Sequence, residues 1–128
     1  MEPGSAAEAA AREVVDAAIA VHRALGPGLL ESVYEQCLAH ELGLRGVEAR
    51  RQVAVPVSYR DLRLESGFRL DLLVAGTVIV EVKAVELLLP VHTAQILTYL
   101  KLARLPIGLL INFNVPMLKD GIRRFVRS

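Results

Sequence analysis

The sequence predicts an α/β (α+β) fold in which helices flank a central mixed β-sheet, in the order α-α-β-β-β-α-β-β. Three observations predict it. Apolar residues recur at helical spacing early in the chain, first Val14, Val15, Ala18, Ile19 and Leu25, then Leu30, Val33, Tyr34, Cys37, Leu38 and Leu42. From Ala49 to Ala84 the pattern changes to valine-rich segments of strand character. After Pro90 one more helical stretch precedes two further apolar strands.

Each element has a local reason. Residues 1–4 read as a loose, disordered end. Ser5 followed by Glu8 has the spacing of a capping box, so the first helix should begin there, and Gly26-Pro27-Gly28 should stop it. The second helix should run from Leu29 to Leu44, with Glu31 in its first turn, where a carboxylate interacts well with the helix dipole. Val53, Val55 and Val57 alternate with Gln52, Ala54 and Pro56 in a strand from Ala49 to Tyr59, and Pro56 marks an edge or a bulge. Arg60-Asp61 is the next turn, and Leu62 to Val74 and Val78 to Ala84 are the second and third strands. Pro90 opens a helix through Arg104, which Leu105-Pro106 breaks. Ile107 to Phe113 is a buried strand by composition; the Lys119-Asp120-Gly121 turn leads to a last strand, Ile122 to Val126.

At 128 residues, 53% hydrophobic and 23% charged, the chain is expected to be a single domain with a proper core rather than a disordered segment. Fifteen basic and 14 acidic residues leave a net charge of +1, so any nucleic-acid contact must come from a local patch. The single cysteine, Cys37, excludes an internal disulfide and favours a reducing, cytoplasmic setting. No signal peptide is visible and no apolar run is long enough to span a bilayer.

Phe68 to Ala84 concentrates the chemistry. Asp71, Glu81 and Lys83 sit inside apolar strands, where a charge is costly unless paired or bound. Strand alternation puts Ile79, Glu81 and Lys83 on one face, and groups Asp71 with Arg69 and Leu73. A two-residue turn at Ala75-Gly76 would separate Asp71 from Glu81; a three-residue turn, Ala75-Gly76-Thr77, pairs Val74 with Val78 and sets the two carboxylates directly opposite. The three-residue register is the one expected. Opposed carboxylates repel, so a cation must lie between them or one must hold a proton. Lys83 and a divalent ion are the candidate cations. The alternative is a structural ion pair of Glu81 with Lys83 on a partly solvated face.

Asp71 on one strand and Glu81-Val82-Lys83 on the next resemble the motif of the PD-(D/E)XK nuclease superfamily, with Leu70 where the literal proline would stand. Gly28-Leu29-Leu30-Glu31-Ser32-Val33-Tyr34 reads G-x-x-E-x-x-Y and resembles the signature of the GxxExxY family within that superfamily. The IVEVKAVE strand, the PVHTAQILTYL helix and the GLLINFNVP strand are similar to that family in the same order, from about Ala18 to Val126. Gln95 and Tyr99, four residues apart on the third helix, resemble the Gln-x-x-x-Tyr of the superfamily's exonuclease branch, and His92 falls on the same side.

The resemblance implies a restriction-endonuclease-like core and a Mg²⁺-dependent nuclease acting on DNA or RNA, with Mn²⁺ able to substitute. Asp71, Glu81, the Val82 carbonyl and Glu31 would lie at the metal, Lys83 would orient water, and Gln95 and Tyr99 would complete the site. A homodimer or a protein partner would extend its contacts. The second reading is a non-catalytic nucleic-acid- or protein-binding module on the same fold. Tyr34 is expected in the core with its hydroxyl bonded, Cys37 in packing, and His22 and His40 in structural or surface positions. Arg45, Arg50 and Arg51, and separately Arg123, Arg124 and Arg127, are basic clusters that would meet a phosphate backbone only if they flank the site.

Overall fold

A computed structural model describes residues 2–127, so Met1 of the expected loose end lies outside the described residues, and residues 2–4 hold no regular structure. The elements are α1 (Ser5–Leu25), α2 (Glu31–Leu44), β1 (Ala49–Tyr59), β2 (Leu62–Val74), β3 (Val78–Lys83), α3 (Pro90–Ala103), β4 (Ile107–Asn112) and β5 (Ile122–Val126), with a 3₁₀ turn at Leu118–Gly121. The order is the expected one, and the elements make the mixed, helix-flanked sheet of a restriction-endonuclease-like fold.

The expected capping box at the start of α1 does not form. Gly4 is the N-cap without a side-chain bond, Ser5 is already helical, and the Glu8 carboxylate instead takes a 2.7 Å bond from Arg124 on β5. The face of α1 that meets the sheet is mostly alanine, with Val14, Ala17 and Ala18 fully buried, while Leu25 at its end is exposed. Helix α2 begins two residues later than expected. Leu30 is its N-cap and is 73% exposed, so it leaves the apolar face, which is carried by Tyr34, Leu38 and Leu42.

The five strands lie in the order β1-β2-β3-β4-β5, with β1 and β5 at the edges. Neighbours are antiparallel except β3 and β4, which run parallel and are joined through α3. Helices α1 and α2 cover one face, packing on Leu72, Val74, Val80, Leu109 and Ile111. Helix α3 covers the other, where Ile96 and Leu100 meet Leu110 and Ile79. Both faces of the centre are therefore buried, which is why β3 and β4 are apolar on both faces apart from Glu81, Lys83 and Asn112.

Two irregularities confirm local readings. At Pro56 the register of β1 against β2 shifts between Val55 and Val57, so this proline sits on an edge strand and at a bulge. Gly67 faces Val57 there, too close for a side chain on Gly67. Between β2 and β3, Val74 pairs with Val78 as the three-residue turn requires. Ala75 and Gly76 both take left-handed backbone angles, φ 51° and 64°, and the Thr77 N–H donates to the Val74 carbonyl at 3.0 Å. Thr77 is the extra residue that restores the pairing.

Beyond β3 the chain is held by one buried side chain, Asn112 at the end of β4. Its Nδ2 donates to the Val85 carbonyl at 2.9 Å, and its Oδ1 accepts the Val85 and Asn114 N–H groups, each at 3.1 Å. Asn112→Leu removes all three bonds and leaves backbone groups short of partners. It should lower unfolding stability by about 3 kcal/mol in urea titration, whereas loss of under 0.5 kcal/mol would show that water replaces the amide.

Candidate active site

The β2–β3 ladder runs through Val74–Val78, Leu73–Ile79 and Leu72–Val80. The next position in that register sets Asp71 opposite Glu81, as the turn length predicts. Here the side chains bridge the strands. Glu81 Oε2 accepts the Asp71 N–H at 2.9 Å, and Asp71 Oδ2 accepts the Val82 N–H at 2.9 Å. Each carboxylate spends one oxygen on this exchange; the second takes no hydrogen bond among the described residues.

Glu81 is 3% exposed and Asp71 is half-buried. Burial, then the Asp71 charge, pushes the Glu81 carboxyl up to about 8, against the downward pull of the Asp71 N–H and Lys83. Asp71 is raised as well, by burial first, while its bond from Val82 pulls the other way. Glu81 therefore favours its protonated form near pH 7, one of the two outcomes expected of facing carboxylates.

Lys83 lies two residues beyond Glu81. Its Nζ donates to Gln95 Oε1 at 3.4 Å, and its carbonyl accepts the Phe113 N–H at 2.9 Å, which ties its backbone to the chain after β4. Tyr99, one turn after Gln95, stacks on Phe68 of β2 with ring centroids 4.4 Å apart. Its hydroxyl is pushed up by burial and then by Glu81 and Asp71, so the ring lies within their field. The third helix thus brings Gln95 and Tyr99 to the carboxylates and Lys83. His92 does not join them: its Nδ1 accepts the Leu89 N–H at 3.0 Å at the start of α3.

Glu31 approaches from α2, where its Oε2 accepts the Ala84 N–H at 3.4 Å, just past Lys83. A cavity of about 390 Å³ lined by Leu29, Leu30, Glu31, Ser32 and Ala84 opens beside it. Among the described residues no three His, Cys, Asp or Glu side chains form a group able to hold a metal; Asp71 and Glu81 face each other, and the Glu31 charge adds to the upward push on Asp71. The Gly28–Tyr34 motif works as a brace. Gly28 takes φ 100°, open to glycine, and the buried Tyr34 hydroxyl donates to the Gly26 carbonyl at 2.6 Å and accepts the Leu29 N–H at 3.1 Å. Its ring stacks on Phe113 at 4.5 Å, as expected of a core tyrosine.

The other expectations resolve simply. His22 is buried and bonded to the Val115 carbonyl at 2.8 Å, His40 is exposed, and Cys37 packs half-buried against the core. The arginine clusters are partly tied up, Arg45 to Glu41, Arg51 to Glu35 and Arg124 to Glu8. The sequence reading missed Glu35 as a site neighbour. It is 6% exposed, bonded to both Arg51 and Gln52, and its charge raises both Asp71 and Glu81. The available signal was its position one turn after Glu31 on a helix whose next face is apolar.

The raised carboxyl pair makes a stability prediction. The Glu81 carboxyl ordinarily titrates at 4.5 and in the fold at about 8, so between these values the folded state holds a proton that the unfolded chain has released. Metal-free stability should be highest below about pH 5, fall by a few kcal/mol as pH rises to about 8, and level off above it. Glu81→Gln, which keeps an acceptor for the Asp71 N–H, should flatten this slope in urea titrations. An unchanged slope would place the proton elsewhere.

Comparison with known proteins agrees with this architecture. The chain matches no curated protein and no solved structure. The family model of the PD-(D/E)XK nuclease superfamily matches residues 8–125, from the first turn of α1 through β5. With the facing Asp71 and Glu81, Lys83 two residues on, and the helix-flanked mixed sheet that carries them, the chain belongs to the PD-(D/E)XK nuclease superfamily.

Proposed function

We propose that the chain is a metal-dependent nuclease that hydrolyses phosphodiester bonds in DNA or RNA, of the GxxExxY kind within its superfamily. The observation that carries the reading is the exchange between Asp71 and Glu81. A buried and a half-buried carboxylate face each other, both raised, each with an oxygen left for a ligand. This all-oxygen donor set suits a hard cation that keeps waters and takes substrate phosphates. Asp71, Glu81 and the Val82 carbonyl would hold Mg²⁺, or Mn²⁺ in its place, with Glu31 adding negative charge from α2. Such an ion, when bound, acidifies water and neutralises charge on the phosphate.

The chain's own groups divide the remaining work. Lys83 is the cationic donor beside the pair, placed to orient water and to stabilise negative charge as it develops on the phosphate. Gln95 holds the Lys83 ammonium, so the cation does not collapse onto the carboxylates. Tyr99 closes the α3 side and its hydroxyl stays protonated, available as a donor.

Nucleic acid fits the surroundings. Strand β2 pairs with β3 through Leu72–Val74, while its earlier residues Leu62–Leu64 and Phe68–Leu70 pair with β1, so β1 and β2 run on as a two-stranded ribbon. Its tip exposes Tyr59, with the Arg60 guanidinium 5.5 Å over the ring, and Arg63 beyond. An aromatic face with cations suits bases and phosphates. The free Cys37 fits a reducing, cytoplasmic setting. The second reading, a non-catalytic binding module, is favoured by the net charge of +1 and by the paired arginines.

Calorimetric titration of Mn²⁺ separates the two. Saturable binding should appear in the parent, tighten as pH rises from 6 to 8 while a proton is displaced from the pair, and vanish in Glu81→Gln. Lys83→Met should keep Mn²⁺ binding within about threefold and lower cleavage of single- or double-stranded substrates by about 10² or more. Binding of oligonucleotide without Mn²⁺ uptake or cleavage would install the binding module instead.

A further inference from the structure

We propose that Glu35 clamps a kink in β1 at Gln52, and that this kink sets Asp71 in its pose against β3. Glu35 and Gln52 are thereby positioning residues for the carboxylate pair. The consequence for metal binding rests on the nuclease reading; the kink does not.

Four observations meet at one point. Arg51 pairs with Leu72 and Val53 pairs with Leu70, but the pair between them, Gln52 with Asp71, is absent from the described ladder. Gln52 has φ 53°, the left-handed region that a side-chain-bearing residue rarely occupies. Arg51 and Gln52 are consecutive, yet both reach one carboxylate: Arg51 Nε donates to Glu35 Oε2 at 3.0 Å and Gln52 Nε2 to Glu35 Oε1 at 2.9 Å. In a regular strand such neighbours point to opposite faces.

The fourth observation is that both strands change face here. On β2, Phe68 and Leu70 pack with Ile79 and Leu100 beneath α3, whereas Leu72 and Val74 lie in the core beneath α1 and α2. On β1, Ala49 packs in the α1–α2 core, whereas Val53 and Val55 join the α3 side. These sets keep the same odd or even spacing, so only a break in alternation separates them. Asp71 and Gln52 are the residues at the break.

The break serves Asp71 directly. Its carboxylate does not stand off a sheet face but lies between the strands, where it takes the Val82 N–H. Arg69 Nη1 also reaches the Gln52 carbonyl at 3.3 Å, so the kink is held from β2 as well as from α2. Glu35 is 6% exposed and supplies both of its oxygens to the clamp. A buried carboxylate so fully committed is a fixed anchor rather than a free acid.

The test is amide hydrogen exchange at Asp71 and Val82, with Mn²⁺ titration at pH 8, in Glu35→Ala, Gln52→Val and Gln52→Gly. Valine is stiff and disfavours φ above zero; glycine accepts it freely. Glu35→Ala and Gln52→Val should lose tenfold or more of the protection at the Val82 amide and bind Mn²⁺ at least tenfold more weakly. Gln52→Gly should fall between these and the parent. Ala54→Val, a β-branched change at a paired position of β1, should leave both within threefold. The Leu109 amide, central in the sheet, reports global stability and should keep its protection in all variants.

Val82 protection within threefold of the parent in both Glu35→Ala and Gln52→Val would overturn the clamp. Parallel loss at Leu109 would also overturn it, as mere destabilisation. Where Gln52→Val does not fold, Gln52→Ala and Glu35→Gln make the same comparison. No Mn²⁺ binding in the parent would remove the metal reading, and the exchange data would decide the clamp alone.

Discussion

Two carboxylates sharing a buried gap between strands is the constraint to which the surrounding structure answers. Asp71 and Glu81 replace a rung of the β2–β3 ladder with side-chain bonds to each other's backbone. Backbone donors that would otherwise lose their partners are satisfied, which meets the chief cost of opening a sheet. The charge cost remains, and the fold meets it by holding Glu81 protonated near neutral pH and keeping Lys83 close. A site arranged in this way is more stable with a proton than without one, which links its stability to pH.

The elements around the pair restrict its movement from three sides. Asn112 and the Phe113 N–H fasten the end of β3, so the Lys83 backbone cannot drift from β4. Tyr34 braces the turn before α2, and from α2 Glu31 and Glu35 reach the end of β3 and the middle of β1. Helix α3 contributes Gln95 to the lysine and Tyr99 to the Phe68 ring. Apart from the exposed Glu31–Ala84 bond, these anchors are buried or half-buried, and such bonds specify position more than they add net stability. By contrast the exposed Arg45–Glu41 and Arg63–Glu65 pairs do little for the fold.

Much of this was legible in the chain. Strand limits in β1, β2 and β5 agree with the alternation and turn residues, because those signals depend only on near neighbours. The opposition of Asp71 and Glu81 followed from turn length and parity alone. The capping box at Ser5 misled because Glu8 has a better partner in Arg124, 116 positions away. Leu30 misled because one more apolar residue at helical spacing says nothing about where the first turn begins. The alternation assumed along β2 from Arg69 to Leu73 breaks between Leu70, which packs beneath α3, and Leu72, which packs beneath α1 and α2.

What the sequence determined by itself is therefore the local and periodic part: the order of elements, the faces of β3, the hairpin register, and the residues whose charge is out of place in an apolar strand. These follow from steric preferences and spacing within a few residues. The tertiary structure alone decided which distant groups meet those charges. It brought Glu35 to Arg51 and Gln52, placed the β1 kink opposite Asp71, and set the depth of burial that raises Glu81. Burial and long-range pairing depend on how helices pack on the sheet, and no short window of sequence contains that information.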